Sequence, residues 1–480
     1  MNKLLDGLKE ETTKTYTENG ALTFSSSLKN NVDFFFLAPA MRGGDYHRIL
    51  SKFISAYTED PKVAMANLWY LRDIRNGAGE RRSARIIYKY LVGNHPEEIN
   101  LAKMVEYGRW DDIMLLINSP LQSEVVDFID KQLKKDLDSE HPSLMAKWLP
   151  SYRCHDRERH EQSLTLVARL FKCSKQYRKT LKHLRAKIGI VEQKISEKNY
   201  GKIEYSKVPS KAMITYSKAF KRNDVDRFCQ YLNDVKQKKA KINTVTLTPV
   251  DIIGQYLEDY GRRAKPENDD VLNAAWDNLK NVFADVSENS LVMADTSGSM
   301  TCNNGRPLST SLALALYISE RNKGEFHNAF LTFSEEPKLQ IIKGNNLFDR
   351  LSCIKTINPW NTNFEAAFDA ILNVAVSKNL PQEEMPVRLY VISDMEFDEA
   401  SRTGTNFEVV KEKYEKAGYK LPQIVFWNVA ARNDTIPVRF NQDSVALISG
   451  YSVNVLETIL KQEELSPYSI MMKTLEPYMG

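Results

Sequence analysis

The sequence predicts two architectures in one chain: an all-α array of stacked helices, then an α/β domain on a doubly wound, mostly parallel sheet. Three observations predict this. At 480 residues the chain exceeds what one hydrophobic core serves. From about residue 30 to 285, apolar residues recur at helical spacing between short breaks. After Ser290, short apolar runs alternate with amphipathic ones, the pattern of strands joined by helices. The expected division is a polar arm with little pattern over 1–30, a helical domain over 31–285 and an α/β domain over 286–480.

In the helical part, DPKVAMANLWYLRDIR places Val63, Ala66, Leu68, Leu71 and Ile74 on one face, with Asp60-Pro61 as cap and first turn. NGAG (76–79) ends that helix, and ERRSARIIYKYLVG begins another. Gly108 breaks HPEEINLAKMVEYGRWDDIMLLI in the same manner. Helices joined by such short loops predict a stacked array without a strict repeat period. In the last part SLVMA, HNAFLTFS, VRLYVISD, QIVFWNVA and VALISG read as strands, and PKLQIIKG as an edge strand. STSLALALYISER, NNLFDRLSCI, NFEAAFDAILNVAVS, NFEVVKEKYEKAG and VNVLETILKQ read as helices. Ligands of such folds bind beyond the carboxyl ends of the strands.

The composition, 42% hydrophobic and 27% charged, is that of a soluble globular protein. FFFLAPAM (34–41), the longest strongly apolar run, is too short to span a membrane and too far into the chain for a leader. Cys154, Cys173, Cys229, Cys302 and Cys353 are odd in number and scattered, which predicts free thiols and a cytoplasmic location. The net charge of +4 hides an asymmetry: residues 170–242 carry 20 Lys and Arg against 6 Asp and Glu. Such a stretch suits RNA or another polyanion, or a set of solvated helix faces. Its candidate contacts are Lys175, Arg178, Lys179, Lys182, Arg185, Lys211, Lys218, Lys221 and Arg222. Tyr177, Tyr200, Tyr205 and Tyr216 stand among them as stacking partners for unpaired bases or as core residues.

LVMADTSGSM (291–300) carries the most specific signal. Asp295 follows a strand directly, so Asp295, Ser297 and Ser299 sit in a loop before a helix. One carboxylate and two hydroxyls are the all-oxygen company that Mg²⁺ prefers, with Mn²⁺ or Ca²⁺ as alternatives. Singly, each residue reads as a helix cap. Two further loops add Thr362, just before a helix in WNTNFEAAF, and Asp394, at a strand end in VRLYVISDMEFD.

In this order the residues resemble the von Willebrand factor A fold and its metal-ion-dependent adhesion site. The resemblance implies that Asp295, Ser297, Ser299, Thr362 and Asp394 hold the metal, whose open position takes an acidic side chain of a protein partner. Asn361 stands where many relatives have glycine. WYLRDIRNGAGERR, EYGRWDDI, YRKTLKHLRAKIGIVEQKIS, IEYSKVPSKAMITYSKAF and SDMEFD resemble a family of unknown function from bacteria, phages and plants that joins a helical region to an A domain. That family is similar in layout to the Ro autoantigen (TROVE) proteins, whose HEAT-like helical ring binds RNA. The resemblance implies a non-enzymatic scaffold that binds RNA or a protein partner.

Other signals fall away. NGAGERR lacks the strand and the Gly-Lys-Ser/Thr ending of a phosphate loop. Cys154, His155 and His160 fit no zinc spacing. No nucleophile–base motif is marked, so catalysis is not expected.

Overall fold

The computed structural model describes residues 3–42, 44–257, 267–286, 288–333, 337–354, 363–399 and 404–480. They form two compact units, one of residues 1–67 with 247–480, the other of residues 68–246. The divisions expected near 30 and 285 therefore lie elsewhere. The stretches 1–67 and 247–285 belong with the α/β part.

The first thirty residues are not a loose arm. Lys14–Tyr16 (β1) pairs antiparallel with Leu22–Phe24 (β2). The Thr17 hydroxyl donates to the Phe397 carbonyl at 2.6 Å, and the Thr23 hydroxyl to the Ile436 carbonyl at 2.9 Å. Arg439 donates to the Thr13 hydroxyl at 2.6 Å and the Ser26 carbonyl at 2.9 Å. These are polar bonds to distant backbone, which hydrophobic periodicity does not register. The apolar run FFFLAPAM lies in the helix Asn30–Leu37 and the turn Ala38–Ala40, all buried. A helix apolar on every side must be enclosed. The Ser449 hydroxyl reaches the carbonyl of Phe35 at 3.4 Å.

Among the described residues six strands form one sheet: Ser290–Asp295 (β3), Ala329–Phe333 (β4), Leu339–Ile341 (β5), Arg388–Ser393 (β6), Gln423–Asn428 (β7) and Val445–Ser449 (β8). Their order is β5-β4-β3-β6-β7-β8, with β5 antiparallel and the rest parallel. β3, β6 and β8 are buried at every position. Such strands need apolar side chains on both faces, which their sequences supply. β5 leaves Leu339 and Ile341 exposed, as an edge does. The helix Cys302–Arg321 is buried from Ser309 to Ser319. The chain starts at β3, runs outward to β5, then crosses to β6 and runs outward the other way. The carboxyl ends of β3 and β6 are thus the switch point of the sheet.

The helical unit is held by the charges of two sequence motifs. Arg72, 1% exposed, donates from Nε and Nη2 to Asp112 Oδ2 at 2.9 and 2.7 Å. Asp112 also accepts Arg85 Nε at 2.6 Å and the backbone N–H of Arg109 at 2.9 Å. Asp111 pairs with Arg81 and Arg85 at 2.6 and 2.9 Å. A Cβ on Gly108 would lie 2.3 Å from Asp112 Oδ2, so the ion pair occupies the space a side chain would need. Likewise a Cβ on Gly77 would lie 2.1 Å from the Tyr70 carbonyl oxygen. The glycines of NGAGERR and EYGRWDD thus let the chain close on this cluster.

Asp112→Ala should strand Arg72 as a buried, unpaired charge, at a cost of roughly 3–5 kcal/mol. Hydrogen exchange in Arg82–Asn94 should speed up accordingly while that of β3 stays unchanged. A loss under about 1 kcal/mol would contradict a structural role for the pair.

Candidate metal centre

Asp295, the last residue of β3, is fully buried. Its Oδ1 accepts the Ser297 backbone N–H at 2.9 Å, an Asx turn that folds the loop back over the strand end. Its Oδ2 accepts the Ser393 hydroxyl at 2.5 Å. The Ser297 and Ser299 hydroxyls lie 3.0 Å apart, and Ser299 hydrogen-bonds to Asp394. Asp394 directly follows β6 and is 1% exposed. Met395 behind it is held at φ 68°, a left-handed conformation costly for a buried non-glycine residue. This turn lets the Glu396 N–H donate to Asp394 Oδ1 at 3.2 Å. After Ser299 the chain turns through Asn303, Asn304 and Gly305, all at positive φ, into the regular part of the buried helix.

The structure therefore brings Asp295, Ser297, Ser299 and Asp394 together at the switch point. Thr362 and Asn361 lie outside the described residues. Among the described residues no group of three or more His, Cys, Asp and Glu stands together, so any cation here depends on the hydroxyls. Two carboxylates and two hydroxyls fit a hard divalent ion and not a soft one. Burial first, then the neighbouring Asp394, pushes the Asp295 carboxyl up to about 7. Burial also raises Asp394, although Arg432 acts against it.

Arg432 is a residue the motif reading missed. Its Nε donates to Asp394 Oδ2 at 3.2 Å, and its Nη2 to Glu18 Oε2 at 2.6 Å. Asn433 donates to Glu18 Oε1 at 3.0 Å. Glu396 accepts the Glu18 N–H at 2.8 Å and the Thr435 hydroxyl at 2.9 Å. The N-terminal segment thus places a carboxylate one residue away from the candidate ligands. The available signal was position: Arg432 follows the carboxyl end of β7.

The basic residues sort differently. Lys175, Arg178, Lys179 and Lys182 are exposed on Ser174–Ile188, and Lys211, Lys218 and Arg222 on Ser210–Asn223, with Lys221 half-buried. Arg185 is structural, not a free contact: it donates to the carbonyls of Ala146 and Leu149 at 2.8 and 2.9 Å. Tyr177 and Tyr205 are core residues and offer no stacking face. Tyr177 packs on Phe171, and Tyr205 on Phe220, Phe228 and Tyr231. Tyr200 and Tyr216 are half-buried.

Residues 17–131 and 120–288 match the family described as Domain of unknown function (DUF2828), more than half of the chain. The chain belongs to that family. Residues 289–475 match a second description, Domain of unknown function (DUF7788), so the DUF2828 region ends just before β3. The chain is 29% identical over 516 residues to uncharacterized protein L728 of Acanthamoeba polyphaga mimivirus, covering 97% of this chain and 87% of that protein. It is also similar to the crystal structure of the Deinococcus radiodurans RO (RSR) protein, at 12% identity over 94% of this chain and 100% of that one. The TM-score of 0.39 makes this likeness too loose to assign any element of the DUF2828 chain.

The raised Asp295 carboxyl gives a signed expectation for metal-free protein. A group raised in the fold adds stability below its unfolded value near 4, and that stability is lost as pH rises through about 7. In chelator, the melting temperature of the wild type relative to Asp295→Asn should fall from pH 5 to pH 8. A flat difference would show that the two acids do not strain the fold.

Proposed function

We propose that the chain is a non-enzymatic binding scaffold: its helical unit holds RNA or a similar polyanion, and its α/β unit holds Mg²⁺. The observation that carries the first half is the exposed set Lys175, Arg178, Lys179, Lys182, Lys218 and Arg222, which has no acidic partner among the described residues. Cations left unpaired on helix faces suit phosphates and give affinity without sequence choice. The α/β unit is read as a von Willebrand factor A domain with an adhesion-type site. Strand order and the set Asp295, Ser297 and Asp394, all buried, with the half-buried Ser299, support that reading, and Thr362 is the expected fifth ligand. Mn²⁺ or Ca²⁺ would satisfy the same oxygens. A cation bound there would offer one electrophilic position to an outside oxygen.

Glu396, the next acid in the chain, directs its carboxylate to Glu18 and Thr435, which supports binding rather than general-base chemistry. A second reading rests on Glu18. A carboxylate beside Arg432 at this site supports an assembly module whose metal takes an acidic side chain of a partner protein. Among the described residues no helix is long and apolar enough to cross a membrane. A cytoplasmic setting is part of the proposal, resting on the five cysteines, which are all unpaired.

The full chain should shift a mixed RNA pool, with affinity falling about 100-fold or more between 50 and 200 mM salt. Asp295→Ala should abolish Mg²⁺ binding in calorimetry while leaving RNA binding intact. RNA binding that is flat in salt, or absent at low salt, would sink the first reading. Capture of an acidic partner that vanishes in Asp295→Ala would favour the second.

A further inference from the structure

The helical unit contains a cleft of about 730 Å³, inside the range of small-ligand sites. Lys147, Arg153, Arg159, Arg178, Lys182 and Arg185 line it. Arg178, Lys182 and Arg185 follow one another at i, i+4 and i+7 on Ser174–Ile188, so they share a helix face. Like charges at that spacing destabilise a helix unless something between them is negative.

The floor is the informative part. Arg185 gives its three nitrogens to the Ala146 and Leu149 carbonyls and the Ser151 hydroxyl at 2.8–3.0 Å. Arg159 donates to the Trp148 carbonyl at 3.2 Å. Both guanidiniums are held by neutral oxygens, and neither has an acidic partner among the described residues. Burial, and to a lesser degree Arg159, pushes the Arg185 guanidinium down. The acids at the cleft are engaged otherwise: Glu192 lies 3.6 Å from Lys147, and Glu197 accepts from Gln193 at 3.0 Å. Leu149, Leu181 and Ile190 give the cleft an apolar wall, and Tyr152 a half-buried ring.

We propose that this cleft binds a nucleotide, its phosphate on the Arg159, Arg178 and Lys182 side, above the Arg185 floor, and its base against Tyr152 and the apolar wall. Uncompensated guanidiniums select the phosphate, and the wall selects a ligand with a flat apolar face. This deepens the polyanion reading and rests on it for the class of ligand. The cleft is the seat where one nucleotide leaves the solvated helix faces and enters the unit.

Calorimetry on the full chain with uridine monophosphate, uridine and inorganic phosphate tests it. The monophosphate should bind at least tenfold more tightly than uridine. Arg178→Glu with Lys182→Glu should lose at least tenfold, because both side chains are exposed and their exchange leaves the core untouched. Should that pair unfold by circular dichroism, Arg178→Gln with Lys182→Gln should show the same loss. Lys131→Glu with Lys135→Glu, exposed on the helix Gln122–Asp138, should bind the monophosphate as the wild type does. Equal binding of uridine and its monophosphate, or no loss in either cleft variant, overturns the proposal. A single-stranded RNA that displaces the monophosphate makes the strand the source of the nucleotide. Monophosphate binding with no RNA competition keeps the cleft and removes RNA from it. Monophosphate and RNA binding both unaltered in the cleft variants removes the cleft and keeps the broader reading.

Discussion

Asp295 and Asp394 lie buried where β3 and β6 leave the sheet, and neither can hold its charge cheaply while the other keeps its own. A proton, a cationic side chain or a bound metal must meet that repulsion. Arg432 meets part of it, from the end of β7, and it is itself anchored by Glu18. Much of the local structure follows from this. The Asx turn at Asp295, the left-handed Met395 and the Ser393 hydroxyl all hold one or other carboxylate in place. The N-terminal hairpin docks on the same strand ends, so residues far apart in sequence share one electrostatic problem.

The helical unit treats its charges in two ways. Around Asp112 every buried cation is matched, and even a glycine is spent to make room for the pair. Around the cleft, half-buried guanidiniums rest on carbonyls instead. Carbonyl dipoles satisfy hydrogen-bonding but leave the net charge standing, so the field survives into the cleft. The same residue type thus closes a core in one place and keeps a surface electropositive in another.

How much of this could be read in the sequence depends on which physical signal each part leaves. The strands of the sheet were legible because burial on both faces demands continuous apolar runs. Asp295, Ser297, Ser299 and Asp394 were legible because they follow those runs directly. The N-terminal hairpin was not, because polar side chains bonded to remote backbone leave no periodicity. The helix Asn30–Leu37 and the helices Pro249–Leu257 and Asp270–Asp277 were assigned to the wrong unit for a related reason. Periodicity tells that a helix face is covered, not whether a sheet or another helix covers it. Charge counting found the basic stretch but could not separate Arg178, which is exposed, from Arg185, which caps carbonyls. Arg432 left only its place at a strand end.

The charges at the strand ends also constrain what a metal there could recruit. Asp295, Asp394, Glu18 and Glu396 against Arg432 leave the cluster three charges negative when every acid is ionised. One divalent cation still leaves it one charge negative, so no net attraction remains for a further anion. An outside carboxylate would then be favoured chiefly by taking the place of Glu18 on Arg432, because that exchange leaves the total charge unchanged. Glu18 is tied by its backbone to Glu396 and by its side chain to Asn433, so this exchange must break hydrogen bonds as well as an ion pair. An acidic partner at this site is therefore selected by how well it replaces the N-terminal segment, and not by its charge alone.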